Sequence, residues 1–421
     1  MYRSEESPQE RRPMNIALVS FEYPPETGGG GIGTYVANAA RMLTDRGHHV
    51  EVFAGGEEAS EETTSSGARI NRADCLDSEA FSEAVVSLFA RRHDEIGFDV
   101  VEGPEYRAEA RSIHEEFPGI PLVVKLHTAS CVLREVNVNR HLTFWDKTRF
   151  LLGGLVRGTI PTPPWTYDPE TDPERHHARE ADIVAAPSQS IGELMAGWWG
   201  LDKSKIVQFP LPFEAIEPFL NVDPDTDTGR VTFVGRLEMR KGVLDLARAV
   251  PQVVDQYPGA SFRFIGRALN HPKTGESLRA VMEREVHPHR ESVEFTGPVP
   301  YEQIPEYLEN TDVCAFPSLY ESFGYVCLEA MTAARGVVGS SAGGMSEILD
   351  GGTYGRVVDP GDPANLAEAI LNLLEHPAER KRLGRAARER VQREYSFEAV
   401  APQQEACYNA AIQRHDSSGA E

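Results

Sequence analysis

Val231-Thr-Phe-Val-Gly-Arg-Leu-Glu-Met-Arg-Lys-Gly242 decides how this chain of 421 residues is read. An apolar strand ends in Gly235 and Arg236, a short loop carries Lys241 and Gly242, and a helical stripe follows at Val243, Leu244, Leu246, Ala247 and Val250. A strand passing through a short loop into a helix is the repeating unit of a parallel α/β sheet. Arg236 and Lys241 therefore project from the carboxyl end of a strand, where open α/β sheets bind ligands. Two surface basic residues in such a loop would look similar. In a chain with only seven lysines, a lysine set beside a glycine at that spot is less easily filler. Two cations beside a helix start can neutralise a diphosphate.

Glu321-Ser-Phe-Gly-Tyr-Val-Cys-Leu-Glu329 repeats the pattern. A strand-like run, 312–317, precedes it, and Leu328, Ala330 and Met331 form the buried stripe of a helix. The free N–H groups of a helix start attract phosphate, and Gly324 lets a ligand approach the backbone. Glu321 stands before that start and Glu329 is placed two turns into the helix. Carboxylates on either side of a phosphate site match sugar hydroxyls, diphosphate and ribose hydroxyls, the layout of a nucleotide sugar. An amphipathic helix with two solvated glutamates would also carry this pair.

Gly235-Arg236…Lys241-Gly242, Glu321-x-Phe323-Gly324…Glu329 and Gly343-Gly344-x-x-Glu347, taken in order, resemble the donor-site motifs of the family-4 retaining glycosyltransferases. The resemblance runs over 14–415. Ala333-Ala-Arg-Gly336 departs from the family pattern of a small residue, Gly and Pro. The resemblance implies a GT-B fold, with two Rossmann-like, doubly wound parallel-sheet domains facing a cleft. It implies an acceptor-side domain over 14–215, completed by a C-terminal helix over 397–415, and a donor domain over 230–396. It also implies transfer of a hexosyl group from a nucleoside diphosphate sugar to a hydroxyl acceptor with retained configuration. Glu321 would bind sugar hydroxyls and Glu329 the ribose. Arg236, Lys241 and the helix start at Phe323, Gly324 and Tyr325 would take the diphosphate. No cofactor and no metal are expected.

Composition agrees. A chain of this length suits two domains. Hydrophobic content of 40% and charge of 25% are ordinary for a globular protein. No apolar run spans a membrane, and the first residues lack the apolar core of a secretory signal, so a cytoplasmic protein is expected. Five scattered cysteines without a Cys-x-x-Cys fit reduced thiols. The net charge of −23 argues against nucleic acid and anionic membrane as partners. Many Asp, Glu and Arg with few Lys suit either a high-salt cytoplasm or an ordinary acidic protein.

The first half alternates strands (15–21, 50–54, 100–102, 121–126, 183–186) with helices, one over 35–45. Gly28-Gly-Gly-Gly-Ile-Gly33 formally matches a dinucleotide fingerprint, but residues 22–27 separate it from the strand and no acid closes strand two. The family uses this loop against the diphosphate, with Gly30 and Gly31 as the contacting pair. His127 ends a strand, where a histidine is most often structural; the family places one there against the transferred sugar. Residues 132–161 form a basic, aromatic island (Arg134, Arg140, His141, Trp145, Lys147, Arg149, Phe150, Arg157). This is either an acceptor or peripheral-membrane surface or a helix pair with solvated arginines. The aspartates of 223–229 resemble a calcium loop, but the glycine is one place late and Val234 replaces the bidentate Glu. They read as a solvated linker. His176-His177 gives no metal signature.

In the second half, strands over 261–265, 293–295, 313–316 and 337–340 alternate with helices over 302–309, 364–375 and 380–395. Val299 follows one strand where the family offers backbone to the nucleobase. A GT-B epimerase, a phosphorylase and a non-catalytic nucleotide-sugar binder share the architecture. The last would be expected to lose one of Arg236, Lys241, Glu321 or Glu329.

Overall fold

The computed structural model describes residues 12–137, 145, 148–150, 163 and 165–418. Strands β1 (Asn15–Val19), β2 (His49–Gly56), β3 (Ser60–Thr63), β4 (Arg69–Asp74), β5 (Val100–Pro104), β6 (Leu122–Lys125), β7 (Ile183–Ala186) and β8 (Ile206–Gln208) form one sheet in the order β3-β4-β2-β1-β5-β6-β7-β8. Strands β9 (Arg230–Val234), β10 (Ser261–Ile265), β11 (Val293–Gly297), β12 (Val313–Phe316), β13 (Gly336–Ser340) and β14 (Arg356–Val358) form a second, in the order β11-β10-β9-β12-β13-β14. The central strands are apolar runs buried on both faces, as parallel strands covered by helices must be.

Each sheet reverses its winding once, between β1 and β5 in the first and between β9 and β12 in the second. Loops after those strands diverge and leave a crevice at the carboxyl edge. The four loops carry the glycine run, Glu105, the Arg236–Lys241 segment and Glu321.

Two expectations need correction here. The first sheet is not wholly parallel: β3 pairs antiparallel with β4. β3 is Ser-Glu-Glu-Thr, exposed throughout, so no alternation of apolar residues marks it as a strand. Helix α1 (Gly31–Asp45) starts inside the glycine run, four residues before 35. Glycine has poor helix propensity, which hides that first turn.

Helices α2 (Gln189–Trp199), α3 (Val243–Gln256), α4 (Tyr325–Thr332), α5 (Pro377–Glu394) and α6 (Phe397–Ser418) matter below. α6 returns to the first domain. Its Gln404 and Tyr408 enter a buried cluster in which the Tyr35 hydroxyl donates to Glu102 at 2.5 Å and the Tyr408 hydroxyl at 3.0 Å. Gln404 donates to both hydroxyls, at 2.9 and 2.7 Å. Lys125, also fully buried, sits 3.5 Å from the Phe209 ring centroid. Burial, opposed by Glu102, brings its ammonium down to about 8.

The linker aspartates are exposed, as expected, and arginines hold this segment against the second domain. Arg385 holds Asp225 at 2.7 Å, Arg380 meets Asp227 at 3.3 Å, and Arg335 donates to the Asp223 carbonyl. The buried guanidinium of Arg335 also reaches Thr226 and the Thr311 carbonyl, at 2.9 and 2.8 Å. Ala334, at the expected glycine, takes a left-handed φ of 53°. Arg335, Arg380 and Arg385 thus fasten the linker to the second domain.

Most of the basic island lies outside the described residues. Within them, Arg134 donates to the Thr166 carbonyl at 3.0 Å.

Candidate active site

The crevice is built from facing loops. After β9, Gly235 takes a φ of 141°, which lets the chain turn sharply, and the Arg236 side chain is left half exposed, with Glu238 at 3.5 Å. A short turn, Met239–Lys241, then points Lys241 inward, and Gly242 (φ 67°) starts α3. Lys241 forms an ion pair with Glu321. Arg240, which the sequence reading passed over, reaches the same carboxylate oxygen at 3.4 Å.

Burial alone would raise the Glu321 carboxyl. The charges of Lys241 and Arg240 overcome that and hold it at about 2. Burial brings the Lys241 ammonium below the ordinary lysine range, with Glu321 opposing.

Gly324 (φ 113°) caps α4 in a left-handed conformation, as the sharp loop-to-helix turn requires. Phe323 is buried, and the Tyr325 hydroxyl donates to the Pro212 carbonyl at 3.2 Å. Glu329 is the fifth residue of α4, one turn in and not two. The helix begins at Tyr325, directly after the glycine, so the second carboxylate lies closer to the phosphate end than expected. No hydrogen bond to Glu329 is found among the described residues, and burial raises it to about 7. Val299 lies partly buried against the core after β11.

Gly343-Gly344-x-x-Glu347 does something else. Gly344 N–H donates to the Glu321 carbonyl at 2.8 Å, and a side chain on Gly343 would sit 2.0 Å from that same oxygen. The glycine pair therefore lets this loop lie against the Glu321 backbone. Glu347 reaches the other domain, accepting from Gln189 N–H and Ser190 N–H at 2.8 Å each, the first amides of α2. A carboxylate at a helix N-terminus is favoured by the dipole. The two domains are thus joined beside the site, as they are where Thr128 and Ser322 hydroxyls meet at 3.0 Å.

On the first domain, His127 N–H donates to the Glu105 carboxylate at 2.8 and 2.7 Å. Its ring packs edge-on to Tyr35, centroids 5.3 Å apart. Burial, with the Lys125 charge adding to it, pushes the imidazole down to about 3, so it is neutral at physiological pH. Gly30 is the extended N-cap of α1, and nothing lies within 4 Å of where a Gly31 side chain would begin.

Residues 30–212 match the glycosyl transferase 4-like domain, and residues 228–376 match the glycosyl transferases group 1 domain. The chain belongs to the group 1 glycosyl transferases. It is 26% identical to a glycogen synthase of Mycobacterium tuberculosis, over 94% of this chain and 95% of that one. It is also 26% identical to a D-inositol 3-phosphate glycosyltransferase of Acidothermus cellulolyticus, over 89% of this chain and 86% of that one. Among solved structures, a sucrose-phosphate synthase from Thermosynechococcus elongatus superposes with a TM-score of 0.71 at 23% identity, covering 95% of this chain and 99% of that one. HepE from Anabaena, in complex with UDP, gives 0.66 at 17%, covering 94% and 100%. The two parallel-sheet domains are the GT-B fold.

The transferase also carries site residues that the sequence reading missed. Glu22 lies against the glycine run: its carboxylate would be 2.7 Å from a side chain on Gly30 and is 3.4 Å from Gly33 N–H. Burial raises its carboxyl, while the Gly33 amide and the charges of Arg236 and Arg107 oppose this. Behind it, Glu109 accepts from Phe21 N–H at 2.8 Å and is raised to about 8, chiefly by burial. The position of Glu22 directly after the strand expected over 15–21 was a usable signal. Glu109 gave none, because it lies in a turn without a motif.

Proposed function

We propose that the enzyme transfers a hexosyl group from a nucleoside diphosphate sugar to a hydroxyl acceptor with retention, without a divalent metal. The observation that carries this reading is Glu321, ionised and held by one oxygen between Lys241 and Arg240 beside the half-exposed Arg236. Arg236, Lys241 and the amides at the start of α4 would stabilise charge developing on the leaving diphosphate. Glu321 would bind sugar hydroxyls, Glu329 the ribose diol and Val299 the nucleobase, while neutral His127 would hydrogen-bond the transferred sugar. Gly30 and Gly31 would close on the phosphates from the other side. That HepE is solved with UDP and with UDP and glucose supports this class of donor.

A carboxylate clasped by two cations is a weak nucleophile, so Glu321 is a poor candidate for a glycosyl-enzyme intermediate. This favours front-face transfer, in which the leaving phosphate accepts the acceptor's proton. An epimerase or phosphorylase remains the rival reading, separated by its product.

The test is a panel of UDP-, GDP- and ADP-sugars, with product anomer read by NMR. A released, α-configured glycoside from an α-donor is the expected result; free epimer or sugar phosphate overturns it. With excess EDTA, turnover should stay within about twofold of the untreated enzyme, under about 0.5 kcal/mol in barrier. Abolition by EDTA and rescue by manganese or magnesium would refute the metal-free account.

Glu329 gives a pH signature. Its carboxyl is raised to about 7, so it is increasingly protonated below that pH and ionised above it. Diol hydroxyls donate best to the ionised form. Donor affinity should therefore rise as pH goes from 6 to 8, and Glu329→Gln should flatten that profile while weakening binding about tenfold at pH 8. Isothermal titration at several pH values checks this; an unchanged slope in the variant would assign the titration elsewhere.

A further inference from the structure

We propose that Arg240 is a positioning residue for donor-sugar recognition: it holds Glu321 by one oxygen, leaving the other for the sugar and Lys241 able to turn to the diphosphate. This rests on the reading of Glu321 as the carboxylate that binds the donor sugar. Lys241 Nζ and Arg240 Nη1 both meet Oε2 of Glu321, and Oε1 has no hydrogen-bond partner among the described residues. The same guanidinium is fixed elsewhere. Nη1 also donates to the Tyr320 carbonyl at 3.2 Å, and Nη2 donates to Glu238 at 2.9 Å. The Arg240 backbone carbonyl accepts from Leu319 N–H at 2.7 Å, so the residue is tied to the Glu321 loop by main chain and side chain together. Its side chain is 9% exposed, against 54% for Arg236.

This arrangement resolves a conflict at Lys241. A lysine that is the only counter-ion of a buried carboxylate cannot turn toward a diphosphate without stranding that charge. Arg240 supplies the second cation, so the carboxylate stays paired and oriented when Lys241 shares its charge with a ligand. Arginine suits the task, because its rigid fork bonds Glu238, Glu321 and a carbonyl at once.

The experiment compares the unaltered enzyme with Arg240→Lys and Arg240→Gln. The probes are UDP-, GDP- and ADP-glucose and the matching free diphosphates. With whichever sugar nucleotide the unaltered enzyme cleaves, Arg240→Gln should lower kcat by ~10- to 100-fold, as a misplaced contact group does. The Kd of the matching free nucleoside diphosphate should stay within about threefold, and Arg240→Lys should recover part of the loss. The preference for the sugar nucleotide over the free diphosphate should shrink in Arg240→Gln. Unchanged kcat in a folded Arg240→Gln overturns the inference. So does a parallel fall in thermal stability, diphosphate affinity and kcat in both variants, which would mark Arg240 as a brace of the fold. If the unaltered enzyme binds none of the sugar nucleotides, the proposed donor class fails and this inference fails with it.

Discussion

Arg236→Ala and Lys241→Ala are each expected to lower turnover by at least ~100-fold, the usual cost of removing one preorganised contact to developing charge. The two should differ in what else they change. Arg236 is half exposed and paired only loosely with Glu238, so its removal should leave thermal stability almost untouched. Lys241 is partly buried against Glu321, and its loss leaves that carboxylate to Arg240 alone. Lys241→Ala should therefore lower the melting temperature as well, because an under-compensated buried charge is costly. Glu321→Ala should match them in turnover. Steady-state rates combined with thermal melts separate these cases. Near-full turnover in folded Arg236→Ala and Lys241→Ala would move the site elsewhere.

Gly242→Ala is expected to have the largest structural effect. Gly242 has a φ of 67°, and a side chain there would begin 1.8 Å from the Pro317 carbonyl oxygen. The conformation alone costs about 1–2 kcal/mol for a non-glycine residue. The clash is with backbone at the end of β12, so relief requires moving either Lys241 or the strand that leads to Glu321. A loss of at least ~3 kcal/mol is expected, with turnover lost alongside. Gly31→Ala is the control, with ordinary backbone angles and no atom within 4 Å of the new methyl group. Urea titration of both variants decides it. A Gly242→Ala enzyme as stable as the Gly31→Ala control would mean that the β9–α3 turn is looser than its geometry implies.

The alternation of strand and helix was readable because central strands are continuous apolar runs, as in Val313–Phe316 and Ile183–Ala186, where expected and observed bounds coincide. Three of the four edge strands escaped detection: β3 is wholly exposed, and β8 and β14 have three residues each. Three of the four charged donor-site residues, Arg236, Lys241 and Glu321, sit in loops that carry a glycine, which is what made them visible. Residues that act through burial were not. Arg240 looks like any surface arginine beside a lysine until its side chain is seen inside, and Glu102 gives no hint of its tyrosine partners. The linker aspartates are exposed as expected, but the arginines that hold this segment lie over a hundred positions away in the chain. Long-range pairing leaves no local pattern.

The return of α6 to the first domain has a consequence for how the polypeptide matures during synthesis. Glu102 and Lys125 emerge early, yet the Gln404 and Tyr408 side chains that complete their enclosure lie on the far side of the entire donor domain. The donor domain has all its strands, β9 to β14, in one continuous segment and can order itself as it leaves the ribosome. The half that comes out first must wait with a half-built interior. Domain order in the gene and order of completion are therefore reversed: the second domain finishes before the first, and α6 completes the earlier core.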